Sequence, residues 1–328
     1  MDARFHAKVS SEMDCALVTF KKRVSAHYGA RGVKWLTELP GLIEKCTVRF
    51  GLRIEGAFAN LSWNLLLRAT RNGVPVVLKV SIEIDEFVRE LGALQAFPSI
   101  CAVDVIDFDE QLGAMILERV FPGIPLSEIE DDNRATEIFC SVFQNLHTSS
   151  SPNLSASKPL TGSASGYLPM RDHFSSLQRY LNRCESNHMP NGECPLDVNL
   201  VRGAVELLND LICSTPSSVL LHGDLHHGNI LQNNCNWTVI DPKGIIGDIH
   251  FETIQYLLNY TSRNGVPDEV LKRRVDIMAG ELNLDANRIA SWGMVRGVLE
   301  ACWSIESGQN SMEGLQIFER FKRLTSER

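Results

Sequence analysis

The sequence predicts an α+β protein built as two lobes, a small antiparallel sheet with helices ahead of it and then a larger, mainly helical part. Three observations predict it. Apolar runs of strand length crowd residues 61–80 and 114–117; helical spacing dominates from residue 131 onward; and one polar segment, 222–244, interrupts it with Asp, Asn and His beside short strand-like runs. The expected division is 1–120 for the leading helices and the sheet lobe, and 121–328 for the helical lobe. A chain of 328 residues is long enough for two separate cores.

Residues 5–28 and 33–50 repeat apolar side chains at helical spacing, and Pro40 fits the first turn of a new helix, where its missing N–H costs nothing. Segments 61–67 and 74–80 read as strands joined by Asn72-Gly73, residues that accept the positive φ of a two-residue hairpin turn. Lys79 thus lies on the second strand of a hairpin, between Leu78 and Val80. A lysine there either extends its ammonium to water or meets anions, phosphate and a carboxylate. From 83 to 97, Phe87, Leu91, Leu94 and Phe97 mark a helix laid on that sheet, with Glu83, Glu86 and Glu90 on related faces.

Residues 114–117 form another buried strand after the turn at 109–113, and Phe121-Pro122-Gly123 stops it, which puts the lobe boundary there. A helix covers 131–148. The Ser-, Pro- and Gly-rich run 149–166 reads either as an insertion without a role or as a cover over a ligand. Helical periodicity then fills 170–214 and 251–321, including 289–305 with a Trp-rich apolar face.

Val219-Leu220-Leu221 reads as a buried strand leading into His222-Gly223-Asp224-Leu225-His226-His227-Gly228-Asn229. Ile230-Leu231 and Thr238-Val239-Ile240 pair as a hairpin over the polar turn 233–236, and Asp241 follows at the strand end, ahead of Pro242-Lys243-Gly244. Two residues leaving one loop and a third leaving the neighbouring strand aim three oxygen-bearing side chains at one point. In phosphoryl transfer a loop Asp takes the proton of the attacking hydroxyl, an Asn five residues later holds one Mg²⁺, and an Asp beyond a hairpin holds the metal that bridges the phosphates. Asp224 stands in the catalytic place, and Asn229 and Asp241 in the two metal-ligand places. Taken singly, each is an ordinary turn or cap residue; the register is what points to chemistry. The rival is a metal hydrolase, because His222, Asp224, His226 and His227 are packed as ligands are. The order H-x-H-x-D-H is swapped at 224 and 226, however, and no distant Cys or His cluster completes a site.

With these motifs the chain resembles the aminoglycoside/hydroxyurea phosphotransferase family, the streptomycin 6-kinase type, within the protein-kinase-like superfamily. Trp35-Leu36-Thr37-Glu38-Leu39-Pro40 with Arg49-Phe50-Gly51-Leu52 is similar to its helical lead-in, Val77-Leu78-Lys79-Val80 to its nucleotide-lysine strand, and Leu117-Glu118-Arg119 with Pro122-Gly123 to its hinge. Asp241-Pro242-Lys243-Gly244 with Gly247-Asp248, and Val298-Leu299-Glu300-Ala301-Cys302-Trp303-Ser304, resemble its later motifs, and His-Gly-Asp in place of His-Arg-Asp resembles small-molecule kinases.

The resemblance implies a bilobal protein-kinase-like fold, ATP and Mg²⁺ as cofactors, and a cleft between lobes where Asp224, Asn229 and Asp241 converge. It implies Glu90 as the partner that orients Lys79 on the phosphates, and the main chain of Glu118 and Val120 on the adenine edge. The phosphate-covering turn is placed around 56–62, where a single Gly leaves Asn60, Ser62 and backbone N–H groups as donors. It sets the acids Asp248, Glu252, Glu300 and Glu306 near the acceptor, His226 and His227 either on the acceptor or packed beneath it, and His222 as a hydrogen-bonding residue of the loop. The implied reaction moves the γ-phosphoryl group of ATP to a hydroxyl of a small polar, cationic molecule, an aminoglycoside such as streptomycin. Hydroxyurea or an unrelated metabolite is the alternative acceptor. An alternative of another class is a nucleotide-binding regulator without catalysis, which the joint presence of Lys79, Asp224, Asn229 and Asp241 disfavours.

A net charge of −8 argues against the basic footprint of a nucleic-acid binder and suits a cationic partner. No apolar run reaches the roughly 18 residues of a membrane span. The nine Cys residues form no C-x-x-C pair or even-spaced framework, and no signal peptide is expected ahead of them. The expectation is a reduced, cytoplasmic protein, monomer or dimer, working on a small molecule without nucleic-acid or membrane partners.

Overall fold

The structure is a computed structural model that describes residues 3–59, 61–148, 166–186, 194–259 and 267–326, with side chains from residue 17 onward. The Ser-rich run, apart from Gly166, lies outside the described residues, as does Asn60. The chain forms two compact units, one of Met1–Gln95 with Val103–Gly123 and one of Ala96–Ala102 with Ile124–Arg328.

The first unit opens with α1 (Ala3–Phe50), which is broken at Gly29, where φ is 54° and ψ is −133°. Pro40, expected to open a new helix, instead lies inside α1, and the break falls on the residue whose missing Cβ lets the backbone take that conformation. Then come β1 (Leu52–Ala57), β2 (Leu65–Arg71), β3 (Val74–Val80), α2 (Ile84–Ala96), β4 (Val105–Asp109) and β5 (Ala114–Glu118). The five strands form an antiparallel sheet in the order β1-β2-β3-β5-β4. The hairpin between β2 and β3 turns on Asn72 (φ 52°) and Gly73 (φ 81°), the positive-φ pair its sequence predicts. The strand expected from residue 61 begins four residues later; β1 alternates only over Leu52 to Glu55 before its register shifts at Gly56, and β4 does not alternate cleanly.

Parity decides which way the sheet's residues point. Leu65, Leu67 and Ala69 of β2, Val76, Leu78 and Val80 of β3, and Ala114 and Ile116 of β5 share a core with Phe20, Val24, Leu39, Cys46 and Phe50 of α1. Lys79 has the opposite parity and faces away from α1.

In the second unit α3 (Asp132–Thr148) precedes β7 (Leu168–Pro169), α4 (Met170–His173), α5 (Ser175–Glu185) and α6 (Val198–Cys213); β6 (Pro122–Pro125) comes before them in the chain. The strands β8 (Val219–Leu221), β9 (Ile230–Asn233), β10 (Asn236–Val239) and β11 (Ile245–Gly247) follow, and α7 (Ile254–Leu258), α8 (Asp268–Leu282), α9 (Ala286–Glu306) and α10 (Met312–Ser326) complete the unit. β9 and β10 form the expected hairpin, turning at Asn234 with φ 55°. β8 pairs antiparallel with β11, which pairs parallel with β7.

One ion pair is deeply set among these helices. The Arg274 guanidinium of α8, fully buried, holds Asp132 at the start of α3, donates to the carbonyls of Tyr256 and Asn259, and lies 5.0 Å from the Tyr256 ring centre. Against the expected reduced setting, Cys184, at the end of α5, is disulfide-bonded to Cys194, ten residues on, with their Cα atoms 5.8 Å apart. Among the described residues no helix is long and apolar enough to cross a membrane.

Candidate active site

β8 delivers the chain to His222, and a single buried carboxylate fixes the backbone at this point. Glu252 accepts the N–H of His222 at 2.7 Å through one oxygen and the N–H of Gly223 at 3.0 Å through the other. Gly223 has φ +77°, and a Cβ there would lie 2.6 Å from Ile245 Cδ1 and 3.3 Å from Lys243 Cβ. Both the conformation and the space demand glycine, which accounts for His-Gly-Asp in place of His-Arg-Asp.

His222 ties the loop to the strand that carries Asp241. Its Nε2 donates to the Ile240 carbonyl at 2.9 Å, its Nδ1 accepts the Asp224 N–H at 3.2 Å, and its carbonyl accepts the Lys243 N–H at 2.6 Å. Full burial keeps the imidazole neutral, as that one-donor, one-acceptor arrangement requires. The expectation of a hydrogen-bonding loop residue matches this geometry.

Asn229 locks the other end. Its Nδ2 donates to the Asp224 carbonyl at 2.9 Å, and its own carbonyl accepts the Ile240 N–H at 3.0 Å, one residue before Asp241. With the amide N–H₂ oriented by Asp224, the Oδ1 is the atom left to act as a hard oxygen ligand. Asp241 stands two residues past β10 with φ +62°, a conformation that few side chains adopt but Asp tolerates. His226 lies among these groups, its Nε2 3.9 Å from Asp224 Oδ1. Burial pushes its pKa down, while the carboxylates of Asp224 and Asp241 both pull it up, so both acids act on one imidazole. The Asp224 side chain keeps 26% of its surface open, enough for a reacting group to reach it.

Asn229 and Asp241 suit Mg²⁺, which takes a few protein oxygens and leaves its other positions to phosphates and water. Among the described residues no three His, Cys, Asp or Glu side chains gather as a metal site, so the hydrolase reading lacks a ligand set.

In the first unit, Lys79 Nζ lies 2.6 Å from Glu90 Oε1, with the two residues only 1% and 6% exposed. Glu90 meets it from α2, whose Phe87, Leu91 and Leu94 are buried alongside. Ser62 is exposed in the turn between β1 and β2, where Arg23 Nη1 donates to the carbonyl of Leu61 at 2.8 Å. Glu118 ends β5, its N–H bound to the Asp104 carbonyl at 3.0 Å, and Val120 follows, half-buried.

The acids expected at the acceptor divide into two kinds. Asp248 is buried and accepts from Arg288 Nε at 2.6 Å, the Trp292 indole at 2.8 Å, and His250 N and Nδ1 at 3.0 and 2.7 Å. Burial raises its pKa, but the hydrogen bonds from His250 and Trp292 win and hold it well below the usual carboxylate range. Asp248 and Glu252 are thus occupied inside the unit, where a soluble acceptor does not reach. Glu300, paired with Arg296 at 2.6 Å, and Glu306, near Arg179 at 3.7 Å and Ser176 at 3.3 Å, remain partly exposed. His227 packs: it is buried and stacked on Tyr256, ring centres 3.9 Å apart at 15°, and burial lowers its pKa to about 3. The role of Glu252 had no signal in the sequence, since nothing in local spacing links it to residues 29 and 30 positions earlier.

The sequence model of the aminoglycoside/hydroxyurea antibiotic resistance kinases matches residues 53–308. The chain belongs to this family. It is 27% identical to streptomycin 6-kinase of Streptomyces griseus over 295 residues, covering 88% of this chain and 90% of that one. It is also 27% identical to hydroxyurea phosphotransferase of Kitasatospora aureofaciens over 293 residues, covering 88% and 80%. Among solved structures, a thermostable mutant of aminoglycoside phosphotransferase APH(4)-Ia, in a ternary complex with ADP and hygromycin B, aligns with a TM-score of 0.58 at 14% identity, covering 86% and 97%. Choline kinase LicA from Streptococcus pneumoniae aligns at 0.56 and 16%, covering 89% and 100%. The expected α+β kinase-like fold is borne out, and this family member is a small-molecule kinase, a phosphotransferase.

Proposed function

We propose that this kinase transfers the γ-phosphoryl group of ATP to a hydroxyl of an aminoglycoside such as streptomycin. Asp224 accepts the hydroxyl proton as the acceptor oxygen bonds to phosphorus and the bond from phosphorus to the β,γ-bridging oxygen breaks, so that ADP leaves. Asn229 and Asp241 hold Mg²⁺, which when bound neutralises charge on the phosphates. Lys79, oriented by Glu90, pairs with the phosphates; Ser62 and its neighbouring backbone cover them, and the main chain of Glu118 and Val120 takes the base. Fixed position and charge neutralisation carry most of the rate.

The observation that carries this reading is the hydrogen-bonded frame joining Asp224, Asn229 and the strand that leads to Asp241, with His226 Nε2 3.9 Å from Asp224 Oδ1. The cationic acceptor is supported by the net charge of −8 and by the partly exposed Glu300 and Glu306. Hydroxyurea is the second reading, favoured by a hydroxyurea phosphotransferase matching at the same 27% identity.

The test is ADP formation from MgATP with streptomycin, with hydroxyurea and with neither. Streptomycin should raise the rate well above the acceptor-free background and gain one phosphoryl group, and Asp224→Ala should abolish the rise. A rise with hydroxyurea alone would move the acceptor to the second reading, and wild-type turnover in Asp224→Ala would remove the proposed base.

A further inference from the structure

Nucleotide affinity is set partly from α1, before the segment that the family model matches: we propose that Arg23 and Arg31 are positioning residues for the nucleotide site. Arg23, His27 and Arg31 recur every fourth residue of α1, with the break at Gly29 between the last two. Arg23 Nη1 donates to the Leu61 carbonyl at 2.8 Å and reaches the Ser62 carbonyl at 3.5 Å. The Arg23 guanidinium lies 5.9 Å from the Trp63 ring centre, and the His27 and Tyr28 rings lie 4.5 and 6.3 Å from the same indole. Leu61 is itself part of the core shared with α1, so the turn is held by an apolar anchor as well as by its carbonyls.

Arg31 holds a second point. Its guanidinium forks onto Glu83 at 2.6 and 3.3 Å and donates to the Ile82 carbonyl at 2.9 Å. Ile82 and Glu83 connect the strand of Lys79 to the helix of Glu90. One helix therefore grips both the turn assigned to the phosphates and the joint that sets the Lys79–Glu90 pair.

Magnitudes separate positioning from stability. The Arg31–Glu83 pair is substantially exposed, and such pairs add little to folding. A small displacement of a phosphate-binding group, in contrast, weakens binding steeply. Arg23 offers a charge-assisted donor to a main-chain oxygen, the stronger class of hydrogen bond.

This inference rests on the ATP reading above, and its test needs no acceptor. Affinity for the non-hydrolysable analogue AMP-PNP with Mg²⁺ is measured by calorimetry in the wild type, Arg23→Ala, Arg31→Ala and Arg23→Lys, beside KM and kcat for slow acceptor-free ATP hydrolysis. The alanine variants should lose about tenfold in affinity, with KM for ATP rising in step and kcat nearly unchanged, and the thermal midpoint should hold in Arg31→Ala. Arg23→Lys, which keeps one donor for Leu61, should recover most of the loss. If Arg23→Ala fails to fold, Arg31→Ala and Glu83→Gln carry the test, the latter expected to lose about threefold. Wild-type affinity in the alanine variants would overturn the role of α1 alone, whereas a wild type that binds no MgAMP-PNP would overturn the ATP reading beneath it.

Discussion

The Lys79 ammonium and the Glu90 carboxylate meet at 2.6 Å with almost no solvent around either. A buried ion pair is weak evidence for stability, because an apolar pair of the same volume is often as good or better. Its presence on a sheet otherwise lined with Val, Leu and Met therefore asks for another reason, and orienting a lysine for phosphate supplies one.

The first prediction separates those roles. Lys79→Met or Glu90→Gln alone strands a buried partner and should cost about 3–5 kcal/mol in urea unfolding. The combined Lys79→Met, Glu90→Leu variant should regain most of that stability and still bind MgATP far more weakly than the wild type. A stable double variant with wild-type nucleotide affinity would make the pair purely structural.

The second prediction concerns Glu252, whose two oxygens hold the N–H groups of His222 and Gly223, with His147 Nε2 3.4 Å from one of them. Glu252→Ala leaves two buried donors without an acceptor, at about 1–3 kcal/mol each, and lets Asp224 drift. Turnover should fall by about a hundredfold while KM for ATP moves little. Glu252→Gln keeps one acceptor and should fall between. A raised acceptor KM with unchanged kcat would return Glu252 to the acceptor site, where the sequence had placed it.

These two cases mark where the sequence was legible. The strands that lead to Lys79, Asp224, Asn229 and Asp241 were readable because apolar runs mark them, whereas Glu90 was set apart from Glu83 and Glu86 only by the family resemblance. The hairpins were readable because Asn72-Gly73 and the polar turn at 233–236 declare themselves through backbone preference. Asp248 and Glu252, set near the acceptor, prove buried, and His227 takes the packed one of its two expected places, for a common physical reason. Whether a polar side chain faces a ligand or a neighbour such as Arg288, His222 or Tyr256 depends on contacts 29 to 40 residues away, and local spacing carries no trace of these. The short strands β7 and β11 fall below the length at which alternation can be recognised. Pro40 misled because proline was given more weight as a helix breaker than Gly29, which alone takes a non-helical backbone here.

The third prediction is acid lability in two separable stages. Burial pushes His173 and His227 from an ordinary 6.5 down to about 3, so the folded state holds both neutral while the unfolded chain protonates them. Stability they contribute is fully present above pH ~6.5 and is lost as pH falls toward ~3, by up to about 1.4 kcal/mol per pH unit for each. Asp248 and Asp132 act lower. Burial raises both, but hydrogen bonds to Asp248 from His250 and Trp292, and to Asp132 from Arg274, prevail and depress them, so their contribution is present above pH ~4 and disappears below it. Urea midpoints between pH 3 and 8 should therefore decline from about pH 6.5. The combined His173→Gln, His227→Gln variant should be flatter above pH ~4, and Asp248→Asn flatter only below it. A wild-type curve level down to pH ~4 would mean that the two imidazoles are not held neutral by the fold.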